Sequence, residues 1–149
     1  MKSIQKIVVL TVLLTACSAE LPNLVDNYQD AMYTIDDNRE NVHLFGNSAS
    51  GDIDGDSVPD EVFLYTKDDG GSGTFFYVVA ALKRDGGYLG TNPIFLGDRI
   101  APQTTEIRSG KIIVNYAIRN PTDPMTTAPS IGTSMYLTIS GSTLLEVTK

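Results

Sequence analysis

The feature that most constrains the fold of this chain is a series of short apolar segments separated by turn residues. Eight such segments between Val42 and Thr148 are rich in β-branched and aromatic residues, a composition typical of strands. Ser109-Gly110 and Ser140-Gly141 mark two-residue connections of the hairpin kind. No strand segment alternates with a long helical pattern, which argues against a parallel sheet. The sequence predicts a mainly β fold, an antiparallel sheet or open barrel of about seven to eight strands.

Two segments depart from this pattern. Apolar residues recur at three- and four-residue steps from Leu21 to Met32, which predicts one short helix at the N-terminal side of the strands. Asn120–Ser130 contains three prolines, and because proline cannot donate to a strand ladder, this stretch is predicted to be a loop. Together these elements predict a single β-rich domain over residues 28–149.

The N-terminus has the layout of a secretory signal. Lys2 and Lys6 precede the apolar run Ile7–Leu14, which is far shorter than the roughly 20 residues that span a bilayer. The next residues, Leu14-Thr15-Ala16-Cys17, resemble the bacterial lipobox. The resemblance implies that residues 1–16 are removed as a lipoprotein signal peptide and that Cys17 is acylated, with palmitate or similar chains. Residues 17–27 would then be the lipidated Cys and tether, and Ser18 implies the outer membrane, facing the periplasm.

Charge and composition limit the classes of partner. Without Lys2 and Lys6 the chain has nine basic residues against 18 acidic ones, a formal charge of −9, which excludes an electrostatic surface for nucleic acid. The membrane is therefore expected to be contacted through the lipid anchor, and the residues identify no particular protein or glycan partner. His43 is the only histidine and Cys17 the only cysteine, too few ligands for a usual zinc site.

The segment Gly51–Glu61 is the strongest candidate site. Calcium takes six to eight oxygen ligands, and carboxylates at alternate loop positions can point inward while the chain winds round the ion. Gly55 permits the positive φ that a tight loop needs. The sequence therefore predicts a Ca²⁺ site formed by four carboxylates and one backbone carbonyl, those of Asp52, Asp54, Asp56, Asp60 and Val58. An acidic turn open to solvent is the alternative, because Asp-Gly also marks ordinary turns.

This loop is not an EF-hand, because Ser57 and Phe63 stand where that motif requires Gly and Glu. It resembles the calcium loops of FG-GAP and VCBS-type repeats, in which D-x-[DN]-G-D-G-x-x-D leads into an apolar strand. The four aspartates match that pattern. Ser57 replaces its second glycine, which puts the shape of the loop in doubt.

A wider resemblance covers three later motifs, Gly71-Ser-Gly-Thr-Phe75, Leu96-Gly-Asp-Arg99 and Pro121-Thr-Asp-Pro-Met125. Their order is similar to that in a group of uncharacterised secreted bacterial domains, and the C-terminal third resembles the LppP/LprE lipoprotein family. Thr127-Ala128-Pro129 stands where members of that group carry Cys-Cys-Pro. The resemblance implies location and fold, and it brings no established chemistry.

The combined prediction is a non-catalytic cell-envelope lipoprotein with a calcium-stabilised binding or structural domain. No catalytic residue is assigned, since Ser72 lies in Gly70-Gly-Ser-Gly-Thr74, which departs from the G-x-S-x-G elbow. The alternative is an envelope hydrolase in which paired carboxylates such as Asp56 and Asp60 perform general acid–base catalysis.

Overall fold

The computed structural model describes residues 23–33 and 41–149 of the 149-residue chain. The predicted signal peptide and Cys17 lie outside the described residues. The part described consists of one 3₁₀ helix, Tyr28–Tyr33, and ten strands, which confirms the mainly β class. The strands are β1 Leu24–Val25, β2 Val42–Gly51, β3 Asp60–Lys67, β4 Phe75–Arg84, β5 Gly87–Gly90, β6 Ile94–Asp98, β7 Ala101–Arg108, β8 Lys111–Ile118, β9 Ile131–Ser140 and β10 Thr143–Val147.

The strands form two antiparallel sheets. The first sheet has the order β1-β5-β4-β3-β2. β6 also belongs to this sheet and pairs with the first half of β4, whereas β5 pairs with the second half of the same edge. The second has the order β10-β9-β8-β7. The edge strands β2 and β7 approach each other, and the Asn47 side chain donates to the Gln103 carbonyl at 3.3 Å. The described strands nevertheless do not close into a barrel.

The main hydrophobic core lies between the two sheets. Because side chains alternate between the faces of a strand, one residue in two along β3, β4, β8 and β9 points into this layer. The fully buried members from the first sheet are Val62, Leu64, Val78, Ala80 and Leu82, and those from the second are Ile112, Val114, Leu137 and Leu144. This packing fixes the position of each strand end and therefore of the loop attached to it.

A second cluster covers the outer face of the first sheet. Ala31 and Met32 of the 3₁₀ helix pack against the face that carries Phe63 and Val79, and the Tyr28 ring meets the Phe63 ring edge-on at 5.5 Å between centroids. The centre of the first sheet is therefore buried on both faces. This explains why β4 is a nearly continuous apolar run rather than an alternating one.

The structure differs from the sequence prediction at three strands, β1, β5 and β2. β1 and β5 were not predicted, because they have two and four residues and β5 begins and ends with glycine. Leu24 and Val25 pair with Leu89 and Tyr88, so the predicted helical pattern is wrong there and the fold already includes residues assigned to the tether. β2 continues past Gly46 and Asn47, where a shorter first strand was expected. These two residues form a bulge with φ of 103° and 47°, and the strand continues to Gly51.

The predicted loop Asn120–Ser130 is confirmed, since β8 ends at Ile118 and β9 begins at Ile131.

At the other edge of the second sheet, the Asn92 side chain forms hydrogen bonds with the edge strand β10. Its Nδ2 donates to the Leu144 carbonyl at 3.0 Å, and its Oδ1 accepts from the Leu144 N–H at 2.7 Å. None of the helices among the described residues is long and apolar enough to cross a bilayer.

Candidate metal centre

The acidic loop connects the end of β2 to the start of β3. Gly51 and Asp60 are paired residues of the two strands, so the loop between them is closed at its base by the sheet itself. The Lys83 N–H donates to Asp60 Oδ1 at 2.8 Å, which attaches the same base to the end of β4. The rigid first sheet therefore positions the loop.

The local fold of the loop follows from short-range bonds to its aspartates. Asp52 accepts the N–H groups of Gly55 at 2.7 Å and Ser57 at 3.0 Å, one on each oxygen. Asp54 accepts the N–H of Asp56 at 3.2 Å. Such bonds from an aspartate to backbone a few residues ahead are what turns this sequence into a coil. Gly55 has the positive φ that the sequence predicts, 86°, and Ser57 also has a positive φ, 68°.

Three of the four predicted carboxylates converge. One oxygen from each of Asp52, Asp54 and Asp60 lies within 4.8 Å of the other two. Ligands on opposite sides of a calcium ion are about 5 Å apart, because each Ca–O distance is about 2.3–2.6 Å, so the three oxygens suit a single ion. Asp56 is outside this group, and the Val58 side chain is exposed.

Asp60 is the structural member of the group. Its side chain is 0% exposed, and its second oxygen accepts the Ile53 N–H at 3.1 Å. Burial raises the pKa of this carboxyl above its ordinary 3.8, and the neighbouring charges of Asp54 and Asp56 raise it further. The backbone bonds from Ile53 and Lys83 act in the opposite direction and favour the charged form.

Sequence reasoning missed Arg84, the cation already present at the loop. Its Nη2 lies 2.6 Å from Asp54 Oδ2, and its Nη1 lies 3.4 Å from Asp56 Oδ2. Arg84 thus pairs with one carboxylate inside the converging group, Asp54, and with one outside it, Asp56. Arg84 is 30 residues from Asp54, and the only available signal was its position at the end of a predicted strand.

The alternative acid–base pair finds little support in this geometry. Asp60 has no exposed surface, and both of its oxygens accept backbone N–H groups. Asp56 accepts the Val58 N–H at 2.8 Å and faces Arg84. A general acid or base has to reach the proton that it transfers, and Asp60 is shielded from any substrate in solution. The side chain of His43 is exposed on β2.

Asp98 and Arg99 form an ion pair at the turn between β6 and β7. Arg99 Nε lies 3.1 and 3.2 Å from the two oxygens of Asp98, and Asp98 Oδ1 also accepts the Thr74 N–H at 2.9 Å. The bond from Arg99 is the main cause of a lowered pKa at Asp98, with smaller contributions from Thr74 and the charge of Arg119. The pair fastens the β6–β7 turn to the residue that precedes β4.

This pair predicts an acid-sensitive contribution to stability. A carboxyl whose folded-state pKa is below the ordinary 3.8 stabilises the fold above that pH, and the contribution is lost as the pH falls through the lower folded-state value. Asp98→Asn is expected to reduce the free energy of unfolding at pH 7 by up to about 1 kcal/mol, the usual limit for a partly exposed ion pair. Urea unfolding at pH 7 and below pH 3 tests this. An unchanged difference at the two pH values would contradict it.

No protein-family model matches the chain, and neither a curated protein nor a solved structure matches it significantly. The fold and site together define a two-sheet antiparallel β domain with an acidic, arginine-paired loop at one end. A function for this class of domain has to be argued from the geometry of its own residues.

Proposed function

We propose that the chain is a non-catalytic lipoprotein of the cell envelope whose β domain is stabilised by calcium at the acidic loop. The observation that carries the calcium proposal is the convergence of Asp52, Asp54 and Asp60 within 4.8 Å at the β2–β3 junction. The anchor is proposed from the lipobox-like residues that end at Cys17. Several acyl chains on one Cys would hold the domain stably, at roughly 0.8 kcal/mol per buried methylene.

The three carboxylates would supply only part of a calcium shell. Calcium takes at least six oxygens, so water and backbone carbonyls would complete it. Each carboxylate oxygen has two lone-pair directions, and a backbone N–H uses only one of them, which leaves Asp52 and Asp60 able to bind an ion. Asp54 differs, because a calcium ion there would compete with Arg84 for the same carboxylate.

Calcium is expected to raise the melting temperature of the domain. An ion that binds only the folded state stabilises it by about 1.4 kcal/mol at ten times the Kd. For a domain of this size that corresponds to a rise of roughly 3–6 °C. Asp54→Ala should abolish most of the rise, as measured by differential scanning calorimetry in millimolar calcium.

The matched control is Asp56→Ala, which also removes a carboxylate paired with Arg84 but lies outside the converging group. It should retain the calcium response, and Asp123→Ala on the distant proline-rich loop should retain it too. Magnesium is the second control, because an open acidic turn would respond weakly and equally to both ions. Absence of calorimetric binding at millimolar calcium would leave the loop as an acidic turn held by Arg84.

The anchor is tested by the location of the protein in cells. The native chain is expected in the membrane fraction, because its acyl chains partition into the bilayer. Cys17→Ser should appear in the soluble periplasmic fraction or remain as uncleaved precursor. Immunoblotting of fractions and metabolic labelling with a fatty acid provide the two readouts. A Cys17→Ser protein that is still acylated and membrane-bound would disprove the lipobox interpretation.

A further inference from the structure

The three motifs that the calcium proposal leaves unexplained meet at the opposite end of the molecule. The Thr74 N–H donates to Asp98, and the Arg99 N–H donates to the Thr74 carbonyl at 2.8 Å. A recess of about 210 Å³ separates this turn from the loop that begins at Asn120. Asp98 pairs with Phe75 at the start of β4, whereas the acidic loop is attached at Lys83, so roughly 26 Å of strand separates the two sites.

Arg119 lines this recess and differs from the other arginines of the described ranges. Arg84, Arg99 and Arg108 each have a carboxylate within ion-pair distance. Among residues 23–33 and 41–149, Arg119 has no such carboxylate, and the only partner within hydrogen-bonding distance of its guanidinium is the Met125 sulfur at 3.6 Å, a weak acceptor. The side chain is half-buried in a protein with 18 acidic and 11 basic residues. A half-buried guanidinium with most of its five donors unused is suited to an anionic ligand.

The surroundings of Arg119 limit the charge of that ligand. The charge of Asp98 is offset by Arg99, but Asp123 also lines the recess and has no ion-pair partner among residues 23–33 and 41–149. Because the charges of Asp98, Arg99, Arg119 and Asp123 sum to zero, the second negative charge of a dianion such as phosphate would gain little net attraction over a monoanion. The monoanion that pairs best with a planar guanidinium is a carboxylate, which can accept two parallel N–H bonds.

The rest of the recess limits the body of the ligand. Ile100, Ile118 and Met125 contribute its apolar lining, and Met125 is 52% exposed at the rim. A volume near 210 Å³ accommodates a few carbon atoms beyond the carboxylate. We propose that this recess is a binding site for a small monocarboxylate with a short apolar group, in which Arg119 binds the carboxylate and the apolar residues contact the remainder.

The probe for this site is N-acetyl-leucine, and its uncharged control is N-acetyl-leucine amide. For a ligand of this size we expect a weak affinity, a Kd on the order of 1–10 mM. Amide chemical shifts of the full mature chain in detergent micelles should change around Ile118 and Met125 on titration. The amide control should bind about tenfold more weakly, because the charge-assisted bonds to Arg119 are lost.

Arg119→Gln keeps part of the stem and removes the charge, and it should weaken N-acetyl-leucine binding by about tenfold. Arg108→Gln is the matched control, since Arg108 is an exposed arginine on β7, and it should leave the affinity unchanged. Equal binding of acid and amide, equal binding by Arg119→Gln and the native chain, or no shift changes at the recess would each overturn the proposal. None of these outcomes depends on calcium, so the test is independent of the metal site.

Discussion

Asp60→Ala is expected to lower the free energy of unfolding by about 3 kcal/mol, the sum for one buried and one partly buried donor left without partners. The two donors are the N–H groups of Ile53 and Lys83, which bond the two oxygens of a side chain with no exposed surface. Through these bonds Asp60 joins the acidic loop, β3 and β4. Equilibrium unfolding in urea, monitored by circular dichroism, measures the loss.

The experiment should be performed in chelator, so that loss of a bound ion does not contribute. Asp60→Asn is the matched variant, because it keeps one oxygen acceptor but places an amide NH₂ against the second backbone donor. It should cost about 2 kcal/mol, between the native chain and Asp60→Ala. If both variants unfold at the native urea concentration, the two hydrogen bonds do not support the junction.

Phe63→Ala is expected to destabilise the domain by roughly 3–5 kcal/mol, the range for loss of a buried aromatic side chain. Phe63 is 0% exposed on the outer face of the first sheet, where it meets Tyr28 and the 3₁₀ helix. The large cost would show that this outer cluster is part of the folded core. Thermal unfolding of the variant gives the readout.

Phe95→Ala is the control. Phe95 pairs with Tyr77 on the same outer face of the first sheet, but its side chain is 50% exposed. Its ring contacts the rings of Tyr77 and Phe75 at 5.3 and 6.3 Å between centroids. With half of its surface already in water it should cost about 1 kcal/mol, mainly for the lost ring contacts. Similar losses for Phe63→Ala and Phe95→Ala would mean that the outer cluster contributes little to the fold.

The fold class was predictable because strand composition and turn residues repeat along the whole chain. β3, β4 and β8 follow from runs of β-branched and aromatic residues. β1 and β5 have too few residues for any periodicity. The division into two sheets was not predictable, because it depends on which edges pair, and side-chain alternation along a strand does not specify its neighbour.

The candidate site was predictable in its residue types but not in its geometry. The spacing of the aspartates indicated a loop, but it did not indicate that Asp56 lies outside the converging group or that Arg84, distant in sequence, pairs with Asp54 and Asp56. The burial of Asp60 had a local signal. It lies two and four residues before Val62 and Leu64, and strand alternation places all three on the inward face. Arg119 had no such signal, because the lack of a carboxylate within ion-pair distance of it among the described residues is a property of the tertiary structure.

The bond between Asn92 and β10 has a consequence for aggregation. The outer strand of a sheet exposes N–H and C=O groups that can pair with a strand of another molecule. The amide of Asn92 occupies both groups of Leu144, and it does so with a side chain, which cannot extend the ladder. A strand of a second copy would therefore find Leu144, near the start of β10, already bonded, and an intermolecular sheet along this edge would be interrupted there.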